Sequence, residues 1–207
     1  MNISITDFLE RLSSDAPTPG GGSVAALAGA LSCSLTSMVG NLTYGKRKYE
    51  EYWEQAKKII DEAKELKEDF LSLFYEDMEV FTKLMATFGL PRKTEEEKKK
   101  RTEAIQQTTK KAIEVPLNVM KKSRRAAEIA FAMAKIGNLN AVSDTGIAGE
   151  MALAACRSAS LNVLINLNFL KDPEYSGQIS KEHEEILEMV ESFYKEISSF
   201  VVSKIKN

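Results

Sequence analysis

The sequence predicts an all-α protein, an up-and-down bundle of about six helices with two small-residue helices buried at its centre. Three observations carry that prediction. Apolar residues recur at steps of three and four along nearly all of the 207 residues, with no convincing run of alternating β-branched residues. Clusters of glycine, proline and asparagine cut this periodicity into segments of helical length. Two segments, 24–43 and 148–170, are apolar or small nearly all round, which requires neighbours on every side. There is no internal repeat and no flexible linker, so residues 1–207 are expected to form one domain.

The elements follow in order. Ile5, Phe8, Leu9 and Leu12 fall on one face of a short first helix, which the run from Asp15 to Gly22 ends. Ser23 is placed to cap a second helix reaching about Thr43, with Tyr44-Gly45 as its stop and Lys46, Arg47 and Lys48 just beyond, where cations are favoured. A long polar helix from about Tyr49 to Phe88 carries an inward stripe that includes Ile59, Ala63, Leu66, Phe70, Phe74, Met78, Phe81 and Met85. Gly89-Leu90-Pro91 ends it, and Thr94 with Glu97 forms a capping box for a fourth helix to about Lys135, kinked at Pro116. After Gly137-Asn138-Leu139-Asn140, Ser143 or Asp144 caps the second small-residue helix, and a final amphipathic helix covers Ser180 to Ile205. The four charged helices wrap the two apolar ones, and a second copy of the chain is expected to cover what remains, giving a homodimer.

Composition removes several chemistries. With 28 basic and 30 acidic side chains the net charge is −2, which argues against a nucleic-acid partner. One histidine, His183, and two cysteines, Cys33 and Cys156, leave histidine-rich zinc sites, iron–sulfur frameworks and a disulfide scaffold without ligands, so no metal is expected. His183 sits among charged neighbours and reads as solvated, which leaves a Ser-His or Cys-His pair without its base. Residues 16 to 45 hold no charge yet contain six of the eleven glycines. The stretch Val24–Leu42 is long enough to span a bilayer, but it is small and hydroxyl-rich, so a buried helix rather than a membrane partner is expected. The amphipathic start is unlike a signal peptide, and the chain reads as cytoplasmic.

Five features could carry chemistry. Gly20, Gly21, Gly22 and Ser23 let backbone approach a ligand at a helix N-terminus, or let helices pack closely. Asp144 is either a cap or a general acid or base. Asn162 and Asn166 share one face of an apolar helix and need partners, backbone or a polar heterocycle. Asp77 interrupts the stripe of the long helix, and Lys46 and Arg47 could meet a carboxylate or phosphate or only offset a helix end.

Together these segments resemble the cyclodeaminase/cyclohydrolase family of folate one-carbon metabolism. The resemblance rests on Thr18-Pro19-Gly20-Gly21-Gly22-Ser23-Val24, Met38-Val39-Gly40 with Leu42-Thr43-Tyr44-Gly45-Lys46-Arg47, Asp77-Met78-Glu79-Val80-Phe81, and Val115-Pro116-Leu117. It continues through Gly137-Asn138-Leu139 with Ser143-Asp144 and Asn162-Val163-Leu164-Ile165-Asn166-Leu167, in the family's order over almost the whole chain. It implies a helical homodimer acting on a tetrahydrofolate whose one-carbon unit lies between N5 and N10, with no cofactor beyond that substrate. The resemblance assigns catalysis to Asp144 and the folate pocket to the glycine turn. Asn162, Asn166 or Asn140 are then expected to orient the pterin, Lys46 or Arg47 to meet the glutamate carboxylates, and Asp77 to be a second candidate for proton transfer. Formimino-tetrahydrofolate cyclodeamination is the preferred activity, methenyl-tetrahydrofolate hydrolysis the alternative, and a non-catalytic folate-binding or assembly bundle the third. Formiminotransferase activity, which belongs to the other half of the bifunctional relatives, is not carried over.

Overall fold

A computed structural model of the chain describes residues 3–206, and among these every regular element is helical. The helices are α1 (Ile5–Leu12), α2 (Gly21–Thr43), α3 (Trp53–Phe88), α4 (Glu95–Ile136), α5 (Val142–Leu167) and α6 (Pro173–Ile205), with 3-10 turns at Arg47–Tyr52 and Leu139–Ala141. Six helices and their order match the expected bundle.

Local chemistry explains most boundaries. Thr94 accepts from the Glu97 backbone while the Glu97 carboxylate accepts from the Thr94 backbone, so the expected capping box closes. Three other starts differ. Ser23 lies inside α2 rather than at its cap; Gly20 occupies the cap position and the serine hydroxyl serves another helix. Neither Ser143 nor Asp144 caps α5, because the preceding 3-10 turn carries the chain directly into it at Val142. α6 begins two turns early, because Asp172 accepts from the Tyr175 backbone and Pro173 takes a first-turn position where its missing N–H costs nothing.

Neighbouring helices run antiparallel. Cβ atoms on Gly22, Gly29 and Gly40 of α2 would collide with Asp77, Phe70 and Ile60 of α3, so these glycines set how closely and in what register the two helices meet. α5 crosses the other side of α2, where the Ser32 hydroxyl donates to the Ala148 carbonyl at 2.7 Å. Ion pairs from Lys122 to Asp69 and from Arg125 to Glu62 join α4 to α3, and Arg157 to Glu191 joins α5 to α6. The core between them includes fully buried Phe70, Ile113, Met120 and Met133. Cys33 and Cys156 are buried free thiols, each pushed up to about 12 by burial, which suits packing rather than reaction.

Two expectations need correcting. The small-residue helices are not enclosed on all sides within one chain. α2 is long and apolar enough to cross a membrane, and its buried face is held by α3, α4 and α5. Its other face exposes Val24, Leu31, Met38 and Leu42, with Leu31 at 48%. α5 likewise exposes Ile147, Leu161, Leu164 and Ile165. Nor is His183 solvated: it is 6% exposed and shares a 2.6 Å hydrogen bond with the buried Ser160 hydroxyl. Flanking charges suggested a solvated position, but the helical period turns His183 inward between Ile179 and Ile186, which are also buried. The pair stands as a satisfied polar contact between α5 and α6.

Burial lowers the His183 pKa by disfavouring the imidazolium. The unfolded chain therefore binds a proton that the folded chain resists, so stability present above the unfolded value of about 6.5 is lost as pH falls through it. The urea midpoint is expected to drop between about pH 7 and pH 5.5. His183→Leu is expected to flatten that dependence, even though it leaves the Ser160 hydroxyl to find a backbone partner.

Candidate functional site

The N-terminus of α2 abuts the middle of α3. There the Ser23 hydroxyl donates to Asp77 Oδ2 at 2.8 Å, and the Ser23 backbone N–H also donates to this carboxylate. A Cβ on Gly22 would stand 2.0 Å from Asp77 Oδ1, so the carboxylate occupies the space a side chain would fill. Only Gly22 of the three glycines is required in this way. A Cβ on Gly20 would meet nothing within 4 Å, and one on Gly21 would meet only Asn162, at 3.9 Å. The Thr18–Pro19 peptide bond that leads into this turn is cis.

Asp77 is under opposed influences. Burial raises its pKa, and the two Ser23 hydrogen bonds lower it by a smaller amount, leaving it above the ordinary carboxylate range. The helix N-terminus also favours the anion. A half-buried carboxyl group of this kind can hold or release a proton nearer neutrality than a solvated aspartate.

Asp77 opens onto a cavity of about 300 Å³ that runs along α3 between α4 and α5. Its polar end is formed by Asp77, Thr109, Asn162 and Asn166. The Asn166 amide nitrogen donates to the Ala112 carbonyl at 2.8 Å and that of Asn162 to the Ser158 carbonyl at 3.0 Å. Both side-chain carbonyl oxygens are left available to accept from a ligand N–H. Val80, Phe81, Leu84 and Met85 form the apolar length, and Phe88 and Phe169 its far end. Phe81 and Met85, expected in the core, are exposed groove walls. Thr109, which no local pattern marked, is buried beside Asn166 in the same lining.

The structure thus gathers Gly20, Gly21, Gly22, Ser23, Asp77, Asn162 and Asn166, and separates them from the rest of the predicted set. Asp144 lies in the first turn of α5, 18 residues before Asn162, or about 27 Å along a straight helix. Lys46, Arg47 and Asn140 are exposed at that same distant end, past the C-terminus of α2. There the Asn138 backbone donates to Thr43 Oγ1 at 2.8 Å, its side chain donates to the Leu42 carbonyl, and Tyr49 donates to Asn138 Oδ1. These bonds staple the loop to the helix end. The Asp144 side chain makes no hydrogen bond or ion pair among the described residues.

Comparison with known proteins agrees with this architecture. The formiminotransferase-cyclodeaminase family model matches residues 4–185. The methenyltetrahydrofolate cyclohydrolase of Methylorubrum extorquens is 39% identical over 99% of this chain and 98% of its own length. The formimidoyltransferase-cyclodeaminase of Gallus gallus is 32% identical over 87% of this chain, which corresponds to 34% of that protein. The solved structure of formiminotetrahydrofolate cyclodeaminase from Thermotoga maritima superimposes with a TM-score of 0.88, at 29% identity and 98% coverage of both chains.

The glycine contacts make a test of the site's construction. Gly22→Ala is expected to cost about 1–3 kcal/mol in denaturant unfolding, because the methyl displaces Asp77 or parts α2 from α3. Gly20→Ala, with open space at the same turn, is expected to stay within about 1 kcal/mol.

Proposed function

This chain belongs to the formiminotransferase-cyclodeaminase family, and from that premise we propose that it hydrolyses 5,10-methenyl-tetrahydrofolate to 10-formyl-tetrahydrofolate. The observation that carries the reading is Asp77, a half-buried carboxyl group with a raised pKa at the polar end of a groove closed by two amides. Preference for hydrolysis over the deamination favoured by sequence alone rests on the 39% identity to the Methylorubrum extorquens cyclohydrolase along both chains. Formimino-tetrahydrofolate cyclodeamination is the second reading. The Thermotoga maritima and Gallus gallus proteins bear that name, and the reacting carbon is the same.

The chemistry asks for one mobile proton and a held substrate. The Asn162 and Asn166 carbonyl oxygens accept from pterin N–H groups, which places the N5–N10 bridge near Asp77. Asp77 takes a proton from the water that attacks the methenyl carbon. It returns that proton to N5 as the carbon–N5 bond breaks, so the formyl group stays on N10 and the hydroxyl proton leaves to solvent. Such transfer contributes about 10²–10⁴-fold, and the fixed pterin adds a proximity term. In the deaminase reading Asp77 instead protonates the departing ammonia.

The homodimer expected from the sequence finds a seat in the same reading. Val24, Ala28, Leu31, Leu35, Met38 and Leu42 recur along α2 at alternating steps of four and three, the spacing of a helix-pairing seam, and no charge interrupts them. We assign a second copy to this stripe.

Loss of the methenyl absorbance on adding protein to 5,10-methenyl-tetrahydrofolate tests the hydrolase, and its appearance from 5-formimino-tetrahydrofolate tests the deaminase. Asp77→Asn is expected to lower turnover by about 10²–10⁴-fold with the fold retained, whereas Asp144→Asn stays near the unsubstituted rate. Ser23→Ala removes a bond that lowers the Asp77 pKa, so the Asp77 limb of the pH–rate profile is expected to move to higher pH. Leu31→Lys is expected to give a monomer by light scattering.

A further inference from the structure

From Asp77 to Phe88 the groove follows eleven residues of α3, a rise of about 16 Å, and the backbone of Phe88, the last of these lining residues, is tied to Arg101 of α4. Arg101 Nη2 donates to the Phe88 carbonyl at 3.2 Å, which holds the guanidinium at the C-terminal end of α3. Its Nε is buried with no hydrogen-bond partner, and Arg101 forms no ion pair among the described residues. That unmet N–H is a cost of holding the guanidinium here, and because Nε is shut off from solvent a ligand meets only the Nη groups.

The acids nearby have other partners. Glu95 pairs with Lys98, Glu96 pairs with Lys100, and the Glu97 carboxylate accepts from the Lys93 and Thr94 backbones. Arg92 and Lys93, in the loop before α4, add two cations with no ion pair of their own among the described residues. Arg101 is therefore a cation without an acidic partner among the described residues, anchored at Phe88 about 16 Å along α3 from Asp77, with the apolar wall of the groove between them. At the opposite end of the bundle, Lys46 and Arg47 lie beyond a helix about 33 Å long and cannot serve the same ligand within one chain.

We propose that Arg101 binds a carboxylate of the substrate's p-aminobenzoyl-glutamate tail, with the p-aminobenzoyl ring lying along Phe81, Met85 and Phe88. This rests on the folate reading above, and it replaces Lys46 and Arg47 as the tail's partner. Guanidinium suits the task because two parallel N–H groups meet both oxygens of one carboxylate.

The test compares 5,10-methenyl-tetrahydrofolate with the methylamide of 5,10-methenyl-tetrahydropteroate, which has neither the glutamate nor a free benzoate carboxylate. Arg101→Gln is expected to raise KM for the first by about 10- to 100-fold with kcat nearly unchanged, and to leave KM for the second as it was. Arg101→Lys should recover part of the loss, since it restores charge without the fork. An equal rise in KM for both substrates would show that Arg101 merely shapes the rim through Phe88 and would overturn the proposal, as would no change for either. Titration with 5-formyl-tetrahydrofolate and its pteroate methylamide counterpart separates the two readings. If the unsubstituted protein turns over neither substrate yet binds the glutamate form more tightly, and Arg101→Gln abolishes that preference, the reaction assignment fails while the tail site stands. No preference in the unsubstituted protein removes the tail site.

Discussion

Everything at this site depends on how closely α2 approaches α3. Three glycines on one face of α2 lie against Asp77, Phe70 and Ile60, and each leaves room for its partner only because it has no side chain. Because the helices are antiparallel, contact at any one of these positions sets the register at the others. Phe70 filling the space over Gly29 thus helps decide that Asp77, two turns further along α3, reaches the first turn of α2. Tight packing of this kind resists small displacements, since protein interiors have little free volume to absorb them.

That register creates the electrostatic character of Asp77. A carboxylate at a helix N-terminus, bonded by a serine hydroxyl and a backbone N–H, would ordinarily sit low in its range. Here burial between α2 and α3 outweighs both bonds and the group remains protonatable. The two asparagines of α5 are fixed by carbonyls of α4 and α5 rather than by each other, so they present acceptors to the groove without consuming Asp77. Acid, acceptors and apolar wall come from α3, α4 and α5, while α2 supplies the turn against which the carboxyl group rests.

The two ends of the bundle use similar residue types for different purposes. At the groove end, an aspartate and two asparagines keep hydrogen-bonding capacity facing a cavity, with a glycine and a serine packed behind the aspartate. At the other end, Thr43, Tyr49 and Asn138 satisfy one another and close the α4–α5 connection onto α2. The hydrogen bonds of the asparagine-rich loop that precedes Asp144 go to this structural staple.

Helical class, the number and order of helices, the capping box at Thr94 and the residue types of the site were legible in the sequence, because each depends on local periodicity or on side chains three or four residues apart. Gly22, Ser23, Asp77, Asn162 and Asn166 were all singled out from the chain alone, within a larger expected set that also held Asp144, Lys46, Arg47 and Asn140. Tertiary structure alone decided that Gly22 is the required glycine, that Phe81 and Met85 line a groove, that His183 is buried, and that Arg101 is tied to the Phe88 carbonyl. Ser23 and Asp77 are 54 residues apart and Arg101 and Phe88 belong to different helices. A helical repeat states which face of each helix is apolar, but the register between two faces is settled only when their side chains pack.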